Sequence, residues 1–225
     1  MMNHPDDHLS KDDLCLIGKK VLLIPYEREF VPLYHSWMQD KTLQQQTATE
    51  PLSLEEEYEN QLSWRLDPHK YTFLIVYLVH PSQPQCIVGD VNLFLLPRND
   101  DTDEECEEKE KDMQAEVEVM IASRRHRRLG LATEAVQLMM AFARQYLGLN
   151  TFIAKIGSDN VASIGLFQRL GFQIFRRVDV FSEVHMRKTW TTPPVSSSFF
   201  LQVASWKRDW SIPCLSLLDD IPTKN

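Results

Sequence analysis

A strand, a basic turn and a helix follow one another between Ala115 and Tyr146, and that succession constrains the fold more than any other part of the chain. Ala115-Glu116-Val117-Glu118-Val119-Met120-Ile121 alternates apolar and polar residues, the pattern of a half-buried strand. Past Gly130 the apolar positions are Leu131, Ala135, Leu138, Met139, Phe142 and Tyr146, which is helical spacing. The link between them is Arg124-Arg125-His126-Arg127-Arg128-Leu129-Gly130. The first N–H groups of a helix lack intrahelical partners, and the helix dipole favours negative charge beside them. A basic, glycine-bearing turn feeding such a helix end predicts an anion site. Gly130 lets backbone approach a ligand closely, and the small Ala132 keeps the next turn uncrowded. The expected ligand carries a pyrophosphate. The lysine of a Walker loop is missing and no G-x-G-x-x-G occurs, which sets aside the usual ATP and dinucleotide folds.

The other segments can be read in chain order. Residues 1–17 read as a flexible leader. Lys20–Pro25 is a first strand, Glu29–Gln39 a helix, and Thr47–Leu52 a loop, since Pro51 disfavours helix at Glu50. Ser53 with Glu56 three residues on is a capping box for a second helix, Leu54–Arg65. Strands follow at Phe73–Val79 and Ile87–Leu96, with Gly89-Asp90 marking a bulge in the second. The acidic run within 99–112 reads as a solvated loop interrupting a hairpin. Thr151–Ile156 is a short buried strand, and Phe172–Val178 and Val180–Lys188 are paired strands joined near Asp179. The pattern dissolves from Thr191 onward, leaving 191–225 as a tail of unassigned structure.

Composition excludes several classes. The 225 residues suffice for one well-buried domain, spanning 18–190 in this reading. No apolar run approaches the roughly 20 residues of a membrane span, so no membrane partner is expected. The net charge of −8 opposes nucleic-acid binding, despite the Arg124–Arg128 run. Cys15, Cys86, Cys106 and Cys214 are scattered without C-x-x-C spacing. That pattern fits free thiols in the cytoplasm and no metal site.

Arg127-x-x-Gly130-x-Ala132 resembles the R/Q-x-x-G-x-G/A loop of the GNAT superfamily of acyl-CoA-dependent N-acetyltransferases. Asn160-Val161-Ala162-Ser163-Ile164-Gly165-Leu166-Phe167-Gln168-Arg169-Leu170-Gly171-Phe172 is similar to that family's N-x-x-S-x-x-L-F-x-R-x-G-F helix. Gly18–Val21, Tyr34–Met38, Thr47–Leu52, Gly89–Phe94 and Glu116–Ala122 further resemble the N-acetyltransferase nine-like branch, described as acetylating the N-terminal amines of α- and β-tubulin. The resemblance covers about residues 16–190. It implies an α+β fold: a mixed, mostly antiparallel seven-stranded sheet with flanking helices, in the order β-α-α-β-β-β-α-β-α-β-β.

It also implies a cofactor and a site. Acetyl-CoA is the expected co-substrate, and a protein N-terminus, tubulin or microtubules included, the expected partner. Arg127, Arg128, Leu129, Gly130, Leu131, Ala132 and Thr133 would hold the pyrophosphate. Met120, Ile121 and Ala122 would lie along the pantetheine arm, with a backbone N–H near Met120 as oxyanion donor. In the superfamily this strand splays from its neighbour, and the acyl group sits in the gap. Asn160 either hydrogen-bonds the arm or caps its helix. Phe167 stands in the cofactor-binding helix where many relatives carry a proton-donating tyrosine, which leaves the acid open.

Glu116 and Glu118 share a strand face and are the candidate general bases. Glu116 sits where related acetyltransferases often carry an acid; a bulge would bring Glu118 into play. The rival for both is a plain solvated strand face. His126 reads as a turn residue more than a phosphate ligand. An α-amine, with a pKa of about 7.7–8.0, suits a single modest base better than a lysine at about 10.4. A small-molecule amine acetyltransferase and a low-activity partner-binding module remain as alternative readings.

Overall fold

The computed structural model describes residues 11, 13–78, 86–97, 113–192 and 202–205. Its strands are β1 (Leu14–Ile17), β2 (Val21–Pro25), β3 (Lys70–Tyr77), β4 (Cys86–Pro97), β5 (Met113–Ile121), β6 (Thr151–Gly157), β7 (Gln173–Val178), β8 (Glu183–Thr189) and β9 (Gln202–Ser205). Its helices are α1 (Val31–Trp37), α2 (Lys41–Gln46), α3 (Leu54–Leu66), α4 (Leu131–Tyr146) and α5 (Val161–Arg169). All described strands join one sheet in the order β7-β8-β6-β5-β4-β3-β2-β1-β9. Every neighbouring pair is antiparallel except β5 and β6, which are parallel.

Alternation along the strands divides the apolar residues into two cores. Val21, Leu23, Phe73, Ile75, Val91, Leu93 and Val117 face α4 and α5. Leu22, Ile24, Leu74, Val76 and Met120 face the opposite layer, where Phe30, Val31, Tyr34, Met38 and Leu43 cover them. β2 is therefore buried at every position, as a strand sandwiched between two layers must be.

Local chemistry explains the helix limits. The Ser53–Glu56 capping box forms: Ser53 N–H donates to Glu56 Oε2 at 2.8 Å and Glu56 N–H to Ser53 Oγ at 3.3 Å. Pro32 stands in the first turn of α1, where its missing N–H costs nothing, and a 3-10 turn at Arg28–Phe30 precedes it. α4 ends at the left-handed Gly148, with Leu149 N–H reaching back to Ala143 O at 3.1 Å.

The structure departs from the sequence reading in three elements. Leu14–Ile17, within the expected leader, is a strand paired with β2 and β9. Gln202–Ser205, within the unassigned tail, pairs with β1, which makes nine strands where seven were expected. Lys41–Gln46 is an added helix, capped by the Asp40 carboxylate accepting from Thr42 N–H at 2.8 Å. Each is four to six residues long, too short for periodicity to declare itself. The acidic run lies outside the described residues, but Pro97 pairs with Met113, so it connects a hairpin. Among the described residues no helix is long and apolar enough to cross a membrane.

Candidate active site

The parallel contact between β5 and β6 is short. Gln114, Ala115 and Glu116 pair with Thr151, Phe152 and Ile153, and the pairing stops there. β5 continues to Ile121 against β4, while β6 continues to Gly157 against β8. The two strands thus separate past Glu116, and the sheet opens as a V. The backbone groups of Val117–Ile121 on that side have no strand partner, an arrangement that needs a ligand or water.

The wide end of the V meets the basic turn. Gly130 caps α4 with φ of +83°, and no side chain caps the helix end. The amides of Leu131, Ala132 and Thr133 are left for an external acceptor. Arg128 also holds a positive φ, of 65°, the kind of backbone strain that clusters at ligand sites. Arg127 is turned inward, its Nε donating to Ile121 O at 2.9 Å, so it fixes the turn to the end of β5. Arg124 pairs with Asp40 at 2.8 Å. His126 also points inward: its Nδ1 lies 2.7 Å from Ser123 Oγ and its ring stands against Tyr77. Burial and the neighbouring Arg125 lower its pKa.

Sequence reading missed Lys20 here. Its Nζ donates to Leu129 O at 3.1 Å, which adds a cation from the β1–β2 turn to the loop. Glu134, in the first turn of α4, accepts from the N–H groups of Lys19 and Lys20 and holds that turn in place. These groups fit a pyrophosphate: free amides, an uncapped helix end and several cations. We expect Gly130→Glu to weaken coenzyme A binding about tenfold or more by calorimetry. A carboxylate beside these amides competes with the phosphates and adds like charge. Unchanged affinity would place the phosphates elsewhere.

The second motif takes a structural form. Asn160 Oδ1 accepts from Ser163 N–H at 3.1 Å and caps α5. Phe167 is buried and packs edge-on against Phe172, with ring centroids 4.9 Å apart.

The face of β5 towards α1–α3 carries the polar chemistry. Glu116 is 8% exposed and ion-paired with Lys155 of β6 at 2.7 Å. Glu118 lies opposite Asn92 and has no hydrogen bond or ion pair among the described residues. Its side chain is exposed, yet the protein crowds around it. Desolvation first, then the carboxylates of Glu116 and Asp90, raise its pKa to about 7. Asp90, on the same face of β4, is 2% exposed. Its Oδ2 accepts from Asn92 Nδ2 at 2.8 Å and from the Tyr34 hydroxyl at 3.3 Å, while Oδ1 has no partner. Burial raises its pKa to about 6, against the hydrogen bonds from Asn92 and Tyr34. Asp90 and Asn92 were given no place in the site from the sequence, although their two-residue spacing within an apolar strand marks one face. Among the described residues no cluster of His, Cys, Asp or Glu could hold a metal ion.

The raised Asp90 carboxyl has a consequence for stability. A carboxyl that resists ionisation stabilises the fold fully below about pH 4, and that contribution is lost as pH rises through about 6. Above that, the buried charge costs roughly 3 kcal/mol, at about 1.4 kcal/mol per pKa unit. We expect Asp90→Asn to raise urea stability at pH 7.5 by up to about that amount and to leave it unchanged near pH 4. A loss at pH 7.5 would contradict the assigned cost.

Comparison with known proteins decides the family. The family model described as "Acetyltransferase (GNAT) domain" matches residues 20–173. The chain belongs to the GNAT acetyltransferase family. This acetyltransferase is 44% identical over 213 residues to the mouse protein named "Alpha/beta-tubulin-N-acetyltransferase 9", covering 92% of this chain and 78% of the relative. It is 41% identical over 187 residues to the Drosophila melanogaster protein of the same name, covering 80% of this chain and 88% of the relative. Among solved structures it is similar to the ribosomal L7/L12 alpha-N-protein acetyltransferase RimL, with a TM-score of 0.63 and 16% identity. That match covers 79% of this chain and 95% of RimL. The spermidine N-acetyltransferase from Vibrio cholerae, solved with CoA and spermine, matches with a TM-score of 0.60 and 17% identity over 76% of this chain and 94% of that one. At such identities the two structures speak to the fold, and they share the GNAT architecture described above.

Proposed function

We propose that this enzyme transfers an acetyl group from acetyl-CoA to the N-terminal α-amine of a protein in the cytoplasm, with tubulin as the acceptor. The observation that carries the α-amine is the place of Glu118, a carboxylate on the β5 face beside the V without a hydrogen-bond or ion-pair partner among the described residues, whose pKa desolvation raises to about 7. A base at that value matches an α-amine of about 7.7–8.0, whereas a lysine at about 10.4 holds its proton too tightly. The names of the mouse and fly relatives support tubulin.

The parts then take distinct roles. Leu131, Ala132 and Thr133 hold the pyrophosphate through their amides, with Lys20 and Arg128 adding charge. Met120, Ile121 and Ala122 border the arm, and a backbone N–H near Met120 polarises the carbonyl. Acetyl-CoA supplies an activated thioester. Glu118 accepts the proton that the amine loses as its nitrogen bonds to the carbonyl carbon. Glu116, held by Lys155, positions this face and adds to the field that keeps Glu118 a usable base. Coenzyme A departs as a thiolate, a tolerable leaving group at a thiol pKa of about 8.5.

The test compares turnover on a tubulin N-terminal peptide, the same peptide with a blocked amine and free lysines, and a polyamine. Turnover of the first alone supports the reading. Equal rates on the blocked peptide, or a preference for the polyamine, would replace it with a side-chain or small-molecule activity. No binding of acetyl-CoA at micromolar concentration would leave a partner-binding module.

A further inference from the structure

Lys70, the first residue of β3, is only 6% exposed and makes no ion pair among the described residues. Its ammonium lies 3.1 Å from the centre of the Trp64 ring and 4.5 Å from that of Phe94. Aromatic faces recover part of an ammonium's lost hydration, but an unpaired buried charge remains costly. The same group borders a small, solvent-open pocket of about 30 Å³, which Tyr26, Gln61, Trp64, Arg65 and Thr72 also line. The Arg65 charge is answered by Glu27. No carboxylate lies within ion-pair reach of Lys70 among the described residues, and Glu118, Asp90 and Asp67 act on it only from farther off.

The pocket is connected to the reaction face. Thr72, at its rim, donates to Asn92 Oδ1 at 2.7 Å, and Asn92 lies opposite Glu118. Lys70, Phe94 and Glu116 lie in register across β3, β4 and β5. Two strand spacings of about 4.8 Å separate the ends of that row by roughly 10 Å, the length of about three extended residues. One end of the row is acidic, with Glu116, Glu118 and Asp90. The other is basic. A chain whose amine lies at Glu118 brings the side chain of its second or third residue to Lys70.

Resting on the α-amine reading above, we propose that Lys70 selects acceptors with an acidic side chain at the second or third residue. The buried amine is the receptor for that carboxylate, and the Trp64 and Phe94 rings hold it in place. Burial lowers the Lys70 pKa to about 8, so an arriving anion also restores its full charge.

The experiment uses the full chain, acetyl-CoA and peptides carrying Glu, Gln, Ala or Lys at the second or third residue. Acidic peptides should exceed neutral ones about tenfold in kcat/KM, chiefly through KM. Lys70→Met should bring that ratio close to one, Lys70→Glu should invert it in favour of the Lys peptides, and Lys70→Arg should retain it. Calorimetry with acetyl-CoA confirms that each variant is folded. Equal kcat/KM across all peptides, or an acidic preference that survives Lys70→Met, overturns the inference and leaves the α-amine reading standing. Acetylation of none of the peptides overturns both.

Discussion

Glu118→Gln is expected to lower kcat/KM on an N-terminal peptide by about a hundredfold or more at pH 8, the usual contribution of a positioned general base. Gln keeps the size and polarity of the side chain but cannot accept the proton. The wild-type rate should rise with pH through about 7 as Glu118 loses its own proton, and that limb should vanish in the variant. Asp90→Asn should move the limb to lower pH, because the Asp90 charge is one of the causes that raise Glu118. Glu116→Gln makes the contrast. It strands Lys155 without its partner and should not remove the limb. An unaltered pH profile in Glu118→Gln would shift the role of base to another group.

Gly89→Ala is expected to destabilise the fold by about 3 kcal/mol or more in urea unfolding, a loss of the size that overpacking against rigid neighbours produces. A Cβ at this position would lie 1.9 Å from Met120 O and 2.9 Å from Ile121 Cα. Both are backbone atoms and cannot swing away. The register of β4 slips here: Ile75 pairs with Gly89 and Val76 with Ile87, leaving Val88 as an extra residue. The bulge presses β4 onto the stretch of β5 around Met120, from which the proposed oxyanion donor comes. A surviving fraction of folded variant should therefore also be slow. Wild-type stability in Gly89→Ala would mean that β5 can retreat freely, against the fixed position the mechanism needs.

Much of this was legible in the sequence because the signals were long or chemically explicit. The sixteen-residue α4 shows its period several times over, and the Ser53–Glu56 box names the start of α3. The turn from Arg124 to Gly130 announced its position through glycine and charge. The bulge was expected at Gly89-Asp90 and stands one residue earlier, at Val88. The candidate bases were found as a pair because alternation puts them on one face. What separates them was not legible. The Lys155 partner comes from another strand, and the field on Glu118 depends on Asp90 across the sheet. Lys70 was hidden for the same reason: nothing local shows that Trp64 and Phe94 will enclose its amine. Tertiary neighbours decide charge and availability, and those neighbours are far apart along the chain.

The pairing of β1 with β9 joins Leu14 to Ser205. While the ribosome extends the chain, β1 waits with its outer N–H and C=O groups unsatisfied, a border that invites pairing with foreign strands. The nascent domain thus holds every proposed catalytic residue while β1 is still its border, and β9 takes over that border once translation passes residue 205.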